Sequence, residues 1–183
     1  MRKTLVVVDM LNDFCHKDGT LATSHITGEL YAKPIIPVVK AKIEEYRKNG
    51  DRIIWLCDSH DPEDKEFERF PKHAVRASWG SEIIKELEPS YKRYKISEHV
   101  IYKTRYSGFY NTRLNDILTY TRSDDEVEVV GVCTSICVMD TVGGCANRDY
   151  NVSVVKDGVA DFDPEAHESA LKRMESLYGA KII

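Results

Sequence analysis

Two patterns alternate along this chain. One is a short apolar, largely β-branched run, continuous at residues 5–8, alternating before it thickens in Val at 127–130, and seen again at 52–57, 100–102, 150–155 and 181–183. None carries a helical period, and the runs have the length and make-up of strands buried on both faces. The other repeats every three or four positions. Ile36, Val39, Lys40, Ile43 and Tyr46 keep that spacing after Pro34 and Pro37, and Asn49-Gly50 stops it. A helix capped by Asn111 or Thr112 and running to Tyr120 turns Leu114, Ile117 and Leu118 inward. A helix from Ile136 puts Val138, Val142, Cys145 and Ala146 on one stripe, and Gly143-Gly144 leaves room for a close neighbour. Asp163-Pro164 caps the last helix, with Ala166, Ala170, Leu171, Met174 and Leu177 inward and Gly179 at its end. Residues 81–87 predict a short helix before Pro89. Residues 15–28 and 122–125 read as loop and turn, 91–95 as basic surface, and Gly131 as the turn after the fourth strand.

Strands and helices alternate, with crossovers long enough for parallel pairing. The fold class is therefore α/β: a three-layer αβα sandwich on a six-stranded, mostly parallel, Rossmann-type sheet, in one domain over 1–183. A strand order of 3-2-1-4-5-6 sets strands one and four side by side where the winding reverses. Ligands of such sheets bind at that point, beyond the strands' carboxyl ends.

Composition narrows the partners. The net charge is -4 and the basic residues are scattered, which argues against nucleic acid. No apolar run reaches membrane-spanning length, and residues 5–8 are too short for a signal-peptide core. Five cysteines without an export signal point to reduced thiols in the cytoplasm.

The candidate chemistry stands at the strands' carboxyl ends. Asp9 follows the first strand, as a site carboxylate or as a turn cap. Lys103 ends the third, as a functional ammonium or a solvated charge. Cys137 lies in the first turn of the helix after the fourth strand. A helix N-terminus favours thiolate, which makes Cys137 a candidate nucleophile; the plain alternative is a small buried apolar residue. Asp58 and His60 end the second strand, and alternate residues of an extended segment face the same way. With His73 they form an oxygen-plus-two-imidazole set suited to zinc, iron or manganese. Glu66 is a fourth candidate, in competition with Glu63, Asp64 and Glu68, and the alternative is a solvated loop. Cys133 and Cys137 have the wrong spacing for a C-x-x-C redox pair.

Together these residues resemble the isochorismatase-like cysteine hydrolases, and among them the nicotinamidases. The anchors are V-V-D-M-L-N-D-F at 7–14, D-S-H at 58–60, F-P-K-H at 70–73, K-T-R-Y-S-G-F at 103–109 and G-V-C-T-S-I-C-V at 131–138, spread over nearly the whole chain. The resemblance implies a catalytic triad of Asp9, Lys103 and Cys137, and backbone N–H groups of Cys133 and Cys137 as an oxyanion hole. It implies a divalent metal, zinc first, on Asp58, His60 and His73, with Glu66 favoured because it precedes F-P-x-H. It also implies a cis peptide before Cys133 and a homo-oligomer. Phe14, Phe70 and Tyr106 are the aromatics expected around a flat substrate ring; their alternative role is core packing.

The expected activity is ammonia release from a small carboxamide, nicotinamide foremost, through a cysteine thioester. Two departures bear on it. Many nicotinamidases have a histidine soon after D-x-H, where this chain is acidic. Arg76-Ala77-Ser78 replaces a more usual G-T, and Arg76 is either a surface charge or a contact for a substrate carboxylate. The second option suits an N-carbamoylsarcosine amidase-like enzyme with the same triad. A binding protein that kept the fold without catalysis is the remaining alternative.

Overall fold

The computed structural model describes residues 3–90, 98–119 and 126–183. The surface segment expected at 91–95, the turn expected at 122–125 and the helix end expected at Tyr120 lie outside these.

Six strands form one sheet in the order β3-β2-β1-β4-β5-β6. They are β1 (Lys3–Val8), β2 (Arg52–Asp58), β3 (Glu98–Lys103), β4 (Glu126–Val132), β5 (Asn151–Ala160) and β6 (Lys181–Ile182). Every neighbouring pair is parallel. The order is the one expected, and the unbroken apolar runs have the expected cause. Leu5 and Val7 of β1 pack on one face, with Phe14 of the short helix α1 (Asn12–Cys15) and Val39, Ile43 and Tyr46 of helix α2 (Ile36–Asn49). Val6 and Val8 pack on the other. There they meet Leu114 and Leu118 of α3 (Leu114–Thr119), Val142 and Cys145 of α4 (Met139–Ala146), and Leu171 and Met174 of α5 (Pro164–Tyr178). A strand between two helical layers has no wet face, so it cannot alternate.

The helix signals mostly hold. Asp163 accepts hydrogen bonds from the N–H groups of Glu165 and Ala166, Thr112 accepts one from Leu114 N–H, and Gly50 and Gly179 end their helices in the left-handed conformation. Gly143 packs on Tyr178 and Gly144 on Phe109, so tightly that a Cβ on either would collide with the ring.

Three expectations change. Residues 81–87 form no helix; two 3-10 turns, Trp79–Ser81 and Lys85–Leu87, stand there instead. Leu177 is exposed, because the helix has rotated past the core by its last turn. Gly131 lies inside β4, not at a turn. Its φ is 116° where β4 presses on the Val8 backbone of β1, and on its other side the register with β5 shifts, where β5 bulges.

Candidate active site

The reversal of winding falls between β1 and β4, and their carboxyl ends bring the expected residues together. Asp9 leaves β1 with φ 50°, its N–H donating to Leu56 O. Past β4 the Val132–Cys133 peptide is cis, as the resemblance implies. A π-helical turn, Thr134–Val138, then leads into α4 and carries Cys137. Two side chains hold that turn: Asp161 accepts from Ser135 N–H at 2.7 Å, and His167 Nδ1 lies 2.9 Å from Thr134 Oγ1. Lys103 ends β3, in register with Asp58 on β2.

Lys103 is the hub. Its Nζ lies 2.7 Å from Asp9 Oδ2 and 3.4 Å from Cys137 Sγ, and also donates to Asp58. All four residues are buried. Asp9 Oδ1 accepts from Asp58 N–H at 2.8 Å, so the carboxylate is held at both oxygens. Burial, and then the charge of Asp58, push Asp9 up to about 6, against the pull of Lys103. Burial alone would lower Lys103, but Asp58, Asp9 and Cys137 raise it well above the ordinary lysine range, so it is an ammonium. Burial pushes the Cys137 thiol well above its ordinary range, and Lys103 only partly offsets this. The resting group is a thiol: burial outweighs the helix-terminus effect expected from sequence.

Beside the hub lies the histidine cluster. One ligand atom each from Asp58, His60 and His73 fit within 4.8 Å of one another. His60 Nε2 is 3.7 Å from Asp58 Oδ2, and His73 Nε2 is 3.8 Å from Glu66 Oε1. These gaps are too long for hydrogen bonds and suit atoms that share one cation. Both rings direct Nδ1 elsewhere, His60 to Asp64 at 3.1 Å and His73 to the Pro71 carbonyl at 2.7 Å. That leaves each Nε2 lone pair for the cluster. His60 Nε2 and Glu66 Oε2 are buried without a hydrogen-bond partner among the described residues. Burial would lower His60, yet Asp58 and Asp64 raise it, whereas burial holds His73 below its ordinary range. The residues present thus fit a divalent cation. Glu66 lies against His73 but outside the tight group of three.

Asp64, weighed from sequence only as a rival to Glu66, is the residue that sequence reasoning undervalued. Burial opposes its ionisation, but the Glu66 N–H, Arg105 and His60 hold it down to about 2.

A small cavity opens onto this centre. Phe14, Phe70 and Tyr106 line it, as expected. So do Tyr31 and Phe162, which the sequence did not single out. Phe162 follows the end of β5, and the strand-end rule would have found it had β5 been taken beyond Val155. Arg76 does not line this cavity; it is exposed and pairs with Asp61 at 3.1 Å.

A model of the isochorismatase domain matches residues 3–183. The chain belongs to the isochorismatase family. Among its relatives, an isochorismatase family protein of Bacillus subtilis, PncA, is 33% identical over 100% of this chain and 99% of its own. A probable inactive nicotinamidase of Arabidopsis thaliana is 30% identical over 94% of this chain and 88% of its own. The solved nicotinamidase/pyrazinamidase PncA of B. subtilis superimposes with TM-score 0.89 at 32% identity, covering 100% and 99% of the two chains. N-carbamoylsarcosine amidase of Thermoplasma acidophilum gives 0.83 at 34% identity, covering 100% and 95%. The pyrazinamidase of Pyrococcus horikoshii, solved in complex with zinc, gives 0.85 at 28% identity, covering 100% and 99%. The six-stranded parallel α/β architecture of this isochorismatase-family chain is therefore the one its relatives share.

Proposed function

We propose that this isochorismatase-family amidohydrolase releases ammonia from a small uncharged aromatic carboxamide, nicotinamide first, through a thioester on Cys137. One observation carries the reading: the buried Lys103 ammonium meets the Asp9 carboxylate and the Cys137 sulfur together, and both of these line an aromatic-walled cavity.

Asp9 takes the Cys137 proton as the sulfur attacks the carboxamide carbon, and Lys103 stabilises the anions by charge. The backbone N–H groups of Cys133 and Cys137 hold the oxyanion, where a single donor is worth about 3–4 kcal/mol. Asp9 returns its proton to the departing nitrogen, and ammonia leaves a thioester. Asp9 then takes a proton from water, which attacks that thioester; the acid product departs and Cys137 regains its proton. Asp58, His60 and His73 would hold one divalent cation, with Glu66 beside them. When bound, it supplies a Lewis-acid anchor for a ring nitrogen. Zinc suits this donor set, and a related pyrazinamidase was solved with it.

The cavity's charge favours nicotinamide over N-carbamoylsarcosine. Asp9, Asp58 and Glu66 line it and, among the described residues, no arginine does. Lys103 is already shared by two carboxylates. A substrate carboxylate would find no uncommitted lysine or arginine among the described residues that line the cavity. The assay is ammonia release from the two amides side by side, with Cys137→Ala as control. Preference for N-carbamoylsarcosine would move the assignment to that amidase, and full activity in Cys137→Ala would end the thioester mechanism. No helix among the described residues is long and apolar enough to cross a membrane. The five free thiols suit a reducing cytoplasm.

A further inference from the structure

We propose that Asp64 is a positioning residue for the cation cluster: it orients the His60 ring and ties the Glu66 segment and the end of β3 to it. This rests on the cation-binding reading above. Asp64 Oδ1 accepts the Glu66 N–H at 2.9 Å, capping the 3-10 turn Lys65–Glu68 that carries Glu66 inward. Its Oδ2 lies 3.1 Å from His60 Nδ1. Arg105, two residues beyond Lys103, places Nη1 3.1 Å from Oδ1 and 2.9 Å from Oδ2.

A capping residue needs only the first of these contacts. The second does something more. A carboxylate accepts only, so Nδ1 carries the hydrogen and the lone pair sits on Nε2, facing Asp58. The third keeps Asp64 out of the cluster, since both its oxygens are engaged and its charge is compensated. That is why Asp64 orients a ligand while the neighbouring Glu66, with one oxygen unpartnered, faces the cavity. His73 has only the Pro71 carbonyl in the corresponding place. The ring of His60 therefore depends on a charge that one substitution removes, and that of His73 on backbone.

The test is Zn²⁺ affinity of the stripped full-length protein, measured by competition with a chromophoric chelator. Wild type, Asp64→Asn, Asp64→Ser and His60→Ala are compared. Asp64→Ser keeps a capping oxygen but is too short to reach the imidazole. Both Asp64 variants should bind Zn²⁺ about 10–100-fold more weakly than wild type, with Asp64→Ser still folded and unfolding cooperatively without the ion. Co²⁺ spectra of the same variants should shift as the His60 ring reorients; a purely structural cap would leave them unmoved. Wild-type affinity in a folded Asp64→Ser overturns the inference while the cluster reading stands, provided His60→Ala has lost the ion. A wild type that binds no Zn²⁺ refutes the cluster reading itself.

Discussion

The Lys103 ammonium lies 3.4 Å from the sulfur of Cys137, across a separation of 34 residues along the chain. The contact exists because β3 and β4 flank the β2-β1 pair, and the Lys103 side chain and the turn that carries Cys137 converge beyond the ends of those two strands. Its charge also neutralises two buried carboxylates. Lys103→Ala should therefore abolish ammonia release and leave Asp9 and Asp58 uncompensated, at a cost of about 3–5 kcal/mol. Kinetics and denaturant unfolding on one sample check both. A variant as stable as wild type would mean that the two carboxylates do not depend on Lys103.

Asp9 serves as a base only when ionised. Burial and Asp58 raise it to about 6, so it becomes protonated below that pH. The pH profile of kcat/KM should fall on the acid side, about tenfold per unit once below the limb. A cation bound at Asp58 adds positive charge and draws the limb to lower pH. Rates that rise as the pH falls through 6 contradict the role of Asp9.

Cys137 and Cys145 are both buried thiols, but only Cys137 lines the cavity. Burial pushes Cys145 up to about 12, with no acceptor carboxylate to help. A small haloacetamide should modify Cys137 first, as read by peptide mass spectrometry, and Lys103→Ala should narrow the difference. Equal rates at the two cysteines would favour a non-catalytic protein.

Removing the cation with a chelator should lower nicotinamide turnover, and zinc should restore it. Metal analysis should find about one divalent ion per chain, lost in His60→Ala and His73→Ala. Glu66→Gln should lose less, because Glu66 stands outside the group of three. An unaffected metal content in both histidine variants would place the ion elsewhere.

Gly131 sits at φ 116°, and a Cβ there would lie 2.0 Å from Val8 O. Gly131→Ala should cost about 1–3 kcal/mol from backbone conformation alone, and more from the collision. It should also disturb the seam between β1 and β4 that sets Asp9 against Cys137. Thermal unfolding and kcat measured together test this; an undisturbed melting temperature would show that the β1–β4 seam can relax.

Much of this molecule was legible in residue order because its signals are local. A doubly covered strand must read as an unbroken apolar run, and a cap or left-handed glycine marks its own position. The strand-end rule then assembled Asp9, Asp58, Lys103 and Cys137 before any distance was known. What local pattern could not show depends on neighbours remote in the chain. Leu177 keeps helical spacing yet faces solvent, since only the position of the sheet decides where a helix leaves the core. Residues 81–87 alternate like a helix but follow the loops they pack on. Gly131 reads as a turn until β1 lies beside it.

The protonation of the site is the clearest division. Side-chain types and their order were enough to name an acid, an ammonium and a thiol. Whether the thiol rests protonated, whether Asp9 titrates near 6, and whether Asp64 binds an ion or aims a ligand are set by burial and by charges a few ångströms away. Those come from packing, because electrostatic work depends on distance and dielectric, and neither is written in the order of residues.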